Sequence, residues 1–296
     1  MPTRKPHSKY HPTGQRYVLP ACVIALGFGA CSSGKQNSRY AQAQDAAPAQ
    51  HIDVSSVKDA IPRAEPYSRY GNPPSYVVLG KRYHTLDSSD NYRERGIASW
   101  YGTKFHGHRS SSGVSFELYK MSAAHKSLPL PTYARVTNLG NGKSVIVKVN
   151  DRGPFHDNRL VDLSYAAASR LGILGKGTGL VEIEAIDPRS YRQPPGKPPV
   201  AASQPKVATA SPTGDKQHHP ALYLQLGAFM SRNNAERLQA RLSRTVPGQL
   251  HIIEAISNQQ TVYRVRVGPL ASVETADQLT KILADQGIES PRVVID

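Results

Sequence analysis

The stretch VNDRGPFHDNRLVDLS, Val149–Ser164, gathers an aspartate, an arginine, a Gly-Pro turn and further charges where an alternating apolar run stops. Asp151 stands at the end of that run, followed by Arg152 and Gly153-Pro154. A carboxyl group held there against aromatic neighbours suits general-acid work, because burial disfavours the ion and retains the proton. The same residue also fits a plain turn, or an ion pair with Arg152. His125, in SAAHKSLPLP, is placed to hydrogen-bond to a substrate or to Asp151. Glu117, Asp157, Asp162, His106, His108 and His156 complete the candidate acids and bases. No HExxH, serine elbow or Gly-rich loop with a following Lys-Ser/Thr occurs. FHGH and FHD lack metal-ligand spacing, so neither a metal nor a cofactor is expected. Trp100 and Tyr101, in SWYG, offer aromatic faces for sugar rings; Trp100 also fits a core position.

These residues need a scaffold of strands. YARVTNLGNGKSVIVKVND predicts two strands around Asn141-Gly142, where both residues tolerate positive φ. Val145, Val147 and Val149 then point one way, Ile146 and Lys148 the other. GLVEIEAI repeats the alternation. SYAAASRLG predicts one helix, capped by Ser164 and stopped by Gly172. Short strands, one small helix and many glycines predict a small β-barrel. Ala221–Asp296 reads differently, as β-α-β-β-α-β. An internal repeat offset by 41 residues matches Gly227, Ser231, Ala235, Leu238 and Leu242 to Gly268, Ser272, Ala276, Leu279 and Leu283.

The 296-residue chain carries a formal charge of +15, which favours a polyanionic neighbour: nucleic acid, an anionic lipid surface or an acidic wall polymer. The only cysteines, Cys22 and Cys31, lie near the N-terminus, so a disulfide framework in the folded region is excluded. A basic start, the apolar run VLPACVIALGFGA and small residues before Cys31 read as a secretory signal. Residues 1–30 are therefore expected to be a lipoprotein signal peptide, with lipidation at Cys31. Residues 31–75 read as a polar tether, 76–188 as the barrel, 189–220 as a Pro/Ala-rich linker and 221–296 as the last domain.

GIASWYGTKFHGHRSSSG, MSAAHKSLPLPTYARVTNLGNGKSVIVKVNDRGPF and RLVDLSYAAASRLG, in that order, resemble the RlpA (rare lipoprotein A) family. The resemblance implies a mainly β domain, a six-stranded double-psi β-barrel, ahead of an α+β domain. It implies a lytic transglycosylase that cuts peptidoglycan endolytically between N-acetylmuramic acid and N-acetylglucosamine and leaves a 1,6-anhydro end. Asp151 takes the acid/base position and His125 the second catalytic position, with Trp100, Tyr101, Asn150 and Arg152 as substrate contacts. One position departs: the family reads Thr-Ala-x-Gly-Glu where this chain ends on Gly113-Val114. Valine transfers no proton, and strand alternation would set Glu117 on the opposite face from it.

YLQLGAF with YRVRVGPL resembles the SPOR domain, which implies binding of denuded glycan strands at the division septum; Gln225, Tyr263, Arg264 and Arg266 offer hydrogen-bond donors and an aromatic face suited to sugars. Nucleic acid is not an expected partner, because the strands lack paired stacking aromatics and export removes it. The expected partners are peptidoglycan, a membrane through the lipid anchor, and divisome proteins. The expected location is the cell envelope, on an outer membrane facing the periplasm. The alternative function, raised by Val114, is a non-catalytic, expansin-like glycan-binding lipoprotein.

Overall fold

The computed structural model describes residues 45–49, 53–192, 220–257, 259–288 and 291–296. The expected signal peptide, Cys31 and most of the Pro/Ala-rich linker lie outside them.

A hairpin of β1 (Ser75–Val78) and β2 (Lys81–His84) precedes the barrel. The barrel strands are β3 (Arg93–Trp100), β4 (Ser122–His125), β5 (Thr132–Asn138), β6 (Ser144–Asp151), β7 (Arg159–Leu163) and β8 (Gly179–Ala185). They close in the order β3-β7-β4-β6-β5-β8, with β3–β7 and β4–β6 parallel and the other four pairs antiparallel. Closure leaves no free edge for another chain to pair with. Val145, Val147 and Val149 fill the interior with Val136, Val161, Leu163, Val181 and Ile183. The helix α1 (Tyr165–Leu171) begins as expected: the Ser164 side chain accepts from the Ala167 amide, and Gly172 ends it at φ 74°.

One local expectation changes. Around Asn141-Gly142 only Gly142 takes positive φ, at 71°. Asn141 instead uses its side chain, accepting from Lys143 N and donating to Leu171 O, so the turn is also tied to the end of α1. Ile146, on the face opposite the three valines, is buried as well, because Ala60 N donates to Ile146 O and the preceding chain lies over that strand.

That preceding chain corrects the boundary at residue 75. Val54 joins the barrel core, Glu65 takes Lys148 and the Tyr133 hydroxyl, and Ser68 N donates to Leu130 O. Residues 53–75 are therefore a strap on the barrel rather than a tether. Backbone and side-chain hydrogen bonds dock it, so it carries no apolar periodicity that a sequence reading could detect.

The last domain contains β9 (Leu222–Phe229), α2 (Arg232–Leu242), β10 (Leu250–Ser257), β11 (Gln260–Leu270), α3 (Val273–Asp285) and β12 (Arg292–Ile295). Its antiparallel sheet runs β10-β11-β9-β12, and α2 and α3 pack Ala235, Leu242, Ala276, Leu279 and Leu283 onto one side. Six of the ten repeated residues are thus helix positions packed against the sheet, while Gly227 and Gly268 lie in strands and Ser231 and Ser272 are the helix N-caps. Asn158 of the barrel donates to Asp277 at 2.7 Å and to Thr280 at 3.0 Å, both on α3.

Candidate active site

Asp151 ends β6 beside Ala124 of β4, immediately after a register shift between Ala123 and Ala124. Such irregularities re-aim side chains at strand ends. Three donors converge on one carboxylate oxygen: Ser111 N at 2.8 Å, Ser111 Oγ at 2.6 Å and Arg152 N at 2.8 Å. Among the described residues Oδ2 has no such partner, and the residue is half-buried. One oxygen is fixed while the other is left for a ligand.

The turn that supplies Ser111 runs from Arg109 to Ser115, with a single antiparallel bridge between those two residues. Ser110 N donates to Val114 O, and Ser112 N reaches Asn150 O at 3.3 Å. Val114 is 51 % exposed on this turn. It is not in a strand, so the alternation argument against Glu117 does not apply. Glu117 pairs with Lys120 and, with Asn150, lines a groove of about 700 Å³.

Arg152 does not face substrate. It is 8 % exposed, and all five donors of its guanidinium are used: Nε to Gly71 O, Nη1 to His125 O and Leu128 O, Nη2 to Asn72 Oδ1 and Thr85 Oγ1. The ion pair and the substrate contact expected from sequence are both replaced by a clamp between strap and barrel. Only carbonyl and neutral side-chain oxygens meet the charge, and burial lowers its pKa from the usual value.

His125 is likewise in the wall, 2 % exposed. Its Nδ1 accepts from Ser127 N at 3.1 Å and Leu128 N at 3.0 Å, which leaves the proton on Nε2, 2.9 Å from the Tyr92 hydroxyl. Tyr92 in turn donates to Glu94 Oε2 at 2.7 Å. Burial first, then Arg152 and Lys126, pull the imidazole pKa down to about 3. It is a neutral group that orders the Ser127–Leu128 backbone, not the proton carrier or Asp151 partner expected from sequence.

Tyr101 packs its ring edge-on to Phe105 and Phe116, each at 5.3 Å, and its hydroxyl approaches Gly153. Trp100 turns the other way, 5.8 Å from Tyr165, and is half-buried on the barrel core. Asp162 sits opposite Ala124 in β7, as Asp151 does in β6, so Ala124 lies between the two in the sheet. Its carboxyl is buried, bonded to Ser99 Oγ, and burial raises its pKa. Among the described residues no group of three or more His, Cys, Asp or Glu is placed to hold a metal.

In the last domain Gln225 pairs with Arg266 across β9–β11, and Arg264 shares the face of Arg266. Tyr263 alternates to the other side and packs on the core with Phe229 and Val265. The expected group is therefore split between two faces.

The barrel and its successor define a two-domain architecture: residues 93–183 match the family model described as lytic transglycolase, and 219–292 the one described as SPOR domain. The chain is 39% identical over 333 residues to the endolytic peptidoglycan transglycosylase RlpA of Pseudomonas aeruginosa, covering 94% of this chain and 96% of that protein. It is 48% identical over 164 residues to the protein of that name from Vibrio cholerae, covering 55% of this chain and 61% of that one. A crystal structure of the RlpA SPOR domain from Pseudomonas aeruginosa is 34% identical, covers 25% of this chain and 96% of that domain, and has a TM-score of 0.24. The chain belongs to the RlpA family.

Proposed function

We propose that this protein is an endolytic peptidoglycan transglycosylase in which Asp151 carries the proton. The observation that supports this most directly is the asymmetry of its carboxyl group. Oδ1 is filled by three donors, so Oδ2 is the oxygen left to give a proton to a bound strand and take one back. From there the proton passes to the glycosidic oxygen as the C1–O bond breaks. The muramyl C6 hydroxyl then closes on C1, giving its proton back to Oδ2 and leaving a 1,6-anhydro end; no water is consumed. This differs from two-carboxylate glycosidases, which must also activate water or form a covalent ester. Action on denuded septal strands, delivery by the SPOR domain, and anchoring through Cys31 to an outer membrane belong to the same reading. It is supported by the relatives' names and the matched domains.

The experiment incubates the purified chain with amidase-treated sacculi and analyses released glycans by mass spectrometry. Anhydro-muramyl products that disappear in Asp151→Asn are expected. One observation favours a second reading, a glycan-binding protein without catalysis: the turn that supplies Ser111 also exposes Val114, which moves no proton. Pelleting with sacculi but releasing nothing would establish that alternative.

A further inference from the structure

The strap brings an aromatic ring to the turn that holds Asp151. Tyr70 is 52 % exposed, and its Cδ2 lies 3.2 Å from where a Cβ on Gly113 would stand. Beside it, Ser68 Oγ donates to Ser112 O at 2.7 Å, and Gly71 is so close to Ser111 O that no side chain would fit there. The Arg109 guanidinium lies 5.0 Å from the Tyr70 ring centroid, and that of Arg69 lies 6.0 Å away. Arg109 Nε donates to Gly113 O, and its Nη2 lies 3.0 Å from where a Cβ on Gly113 would stand, so the guanidinium lies against the turn beside the Tyr70 ring. Both arginines are exposed, and neither has a carboxylate partner among the described residues. Elsewhere on the same strap, Asp59 and Glu65 are matched by Arg170 and Lys148.

We propose that Tyr70, Arg109 and Arg69 form a sugar subsite beside Asp151 that takes a ring bearing a free carboxylate. On the peptidoglycan reading, on which this rests, that ring is a muramyl residue whose lactyl carboxyl carries no peptide. The tyrosine gives the C–H face of a pyranose an apolar contact. A guanidinium already stacked on an aromatic ring holds its fork in a fixed plane, which favours bidentate carboxylate binding. Amide linkage to a stem peptide removes the charge and that geometry together. The subsite thus distinguishes a stripped strand from a substituted one within one turn of the proton carrier.

The test is calorimetric binding of the full chain to a muramyl tetrasaccharide in three forms: free lactyl carboxyls, carboxyls capped as primary amides, and carboxyls bearing stem peptide. Wild type is expected to favour the free form over the amide. Arg69→Gln with Arg109→Gln is expected to cut that ratio about tenfold, the loss of one charge-assisted pair. Tyr70→Ala is expected to weaken all forms alike. The SPOR domain is common to wild type and variants, so a binding step of its own is the same in both and is fitted as a separate site. An unchanged ratio in a double variant of unchanged melting temperature overturns the proposal. Preference for the peptide-bearing form overturns it as well, by moving the carboxylate to the peptide. Arg109→Lys keeps charge without the fork and should show an intermediate ratio; the full wild-type ratio there also counts against it. Failure of wild type to release anhydro ends would sink the catalytic reading and leave these ratios readable.

Discussion

Ser111 donates twice to the same oxygen of Asp151, through its amide at 2.8 Å and its hydroxyl at 2.6 Å. The amide belongs to the turn, but the hydroxyl is replaceable. Ser111→Ala should lower kcat several-fold with little change in KM, because a looser carboxyl costs transition-state alignment more than binding. Ser111→Thr, which keeps the donor, should recover most of the loss. Equal effects of the two substitutions on kcat would mean that the hydroxyl does not position Asp151.

Val114 invites the opposite change. Its side chain is half-exposed, so Val114→Glu should alter stability by no more than about 0.5 kcal/mol. A carboxylate on that turn should raise the release of anhydro-muramyl ends over wild type. Initial rates on amidase-treated sacculi decide it, with Val114→Gln as the control for size.

His125 predicts an acid-sensitive fold. Its pKa of about 3 lies below the ordinary imidazole value, so between the two the unfolded chain binds the proton and the folded one does not. The stability that neutral His125 provides is complete above about pH 6.5 and is lost as pH falls toward 3, at roughly 1.4 kcal/mol per unit. Urea midpoints measured from pH 7 to pH 4 should fall less steeply in His125→Gln. Parallel slopes would assign the acid loss to other groups.

Asn72 tests the strap. Its Oδ1 accepts from Leu130 N at 2.8 Å and Arg152 Nη2 at 3.0 Å, and its Nδ2 donates to Leu130 O at 2.7 Å. Asn72→Ala leaves a buried cationic donor unmet and should cost about 2 kcal/mol or more. A midpoint within error of wild type would show that the strap docks without this bond.

The barrel was legible because Val145, Val147 and Val149 alternate against one interior, and the second domain because its helix positions repeat. Asp151 stood out by its strand-end place. What could not be read was everything fixed by contact across long sequence separations. His125 and Arg152 have the residue types of a site, yet the chain surrounds both: His125 is buried by Tyr92, and Arg152 is spent on Gly71, Asn72 and Thr85. Tyr70 was hidden for the converse reason. Its stretch is polar and Pro-interrupted, and nothing local marks it as lying against Gly113. Tyr263 shows a finer limit: strand parity next to the irregular β9–β11 register decides its face, and residue type does not.

The clamp at Arg152 also sets the unit in which this enzyme-like module can be inherited or transplanted. Three of its five donors end on residues 71, 72 and 85, all upstream of Arg93, where the lytic transglycolase match begins. A graft cut at Arg93 would carry a buried cation stripped of most of its acceptors, a defect on the order of 3–5 kcal/mol. The smallest exchangeable cassette therefore begins near Val54, and recombination that respects only the barrel's own strands would deliver a fold that arrives broken.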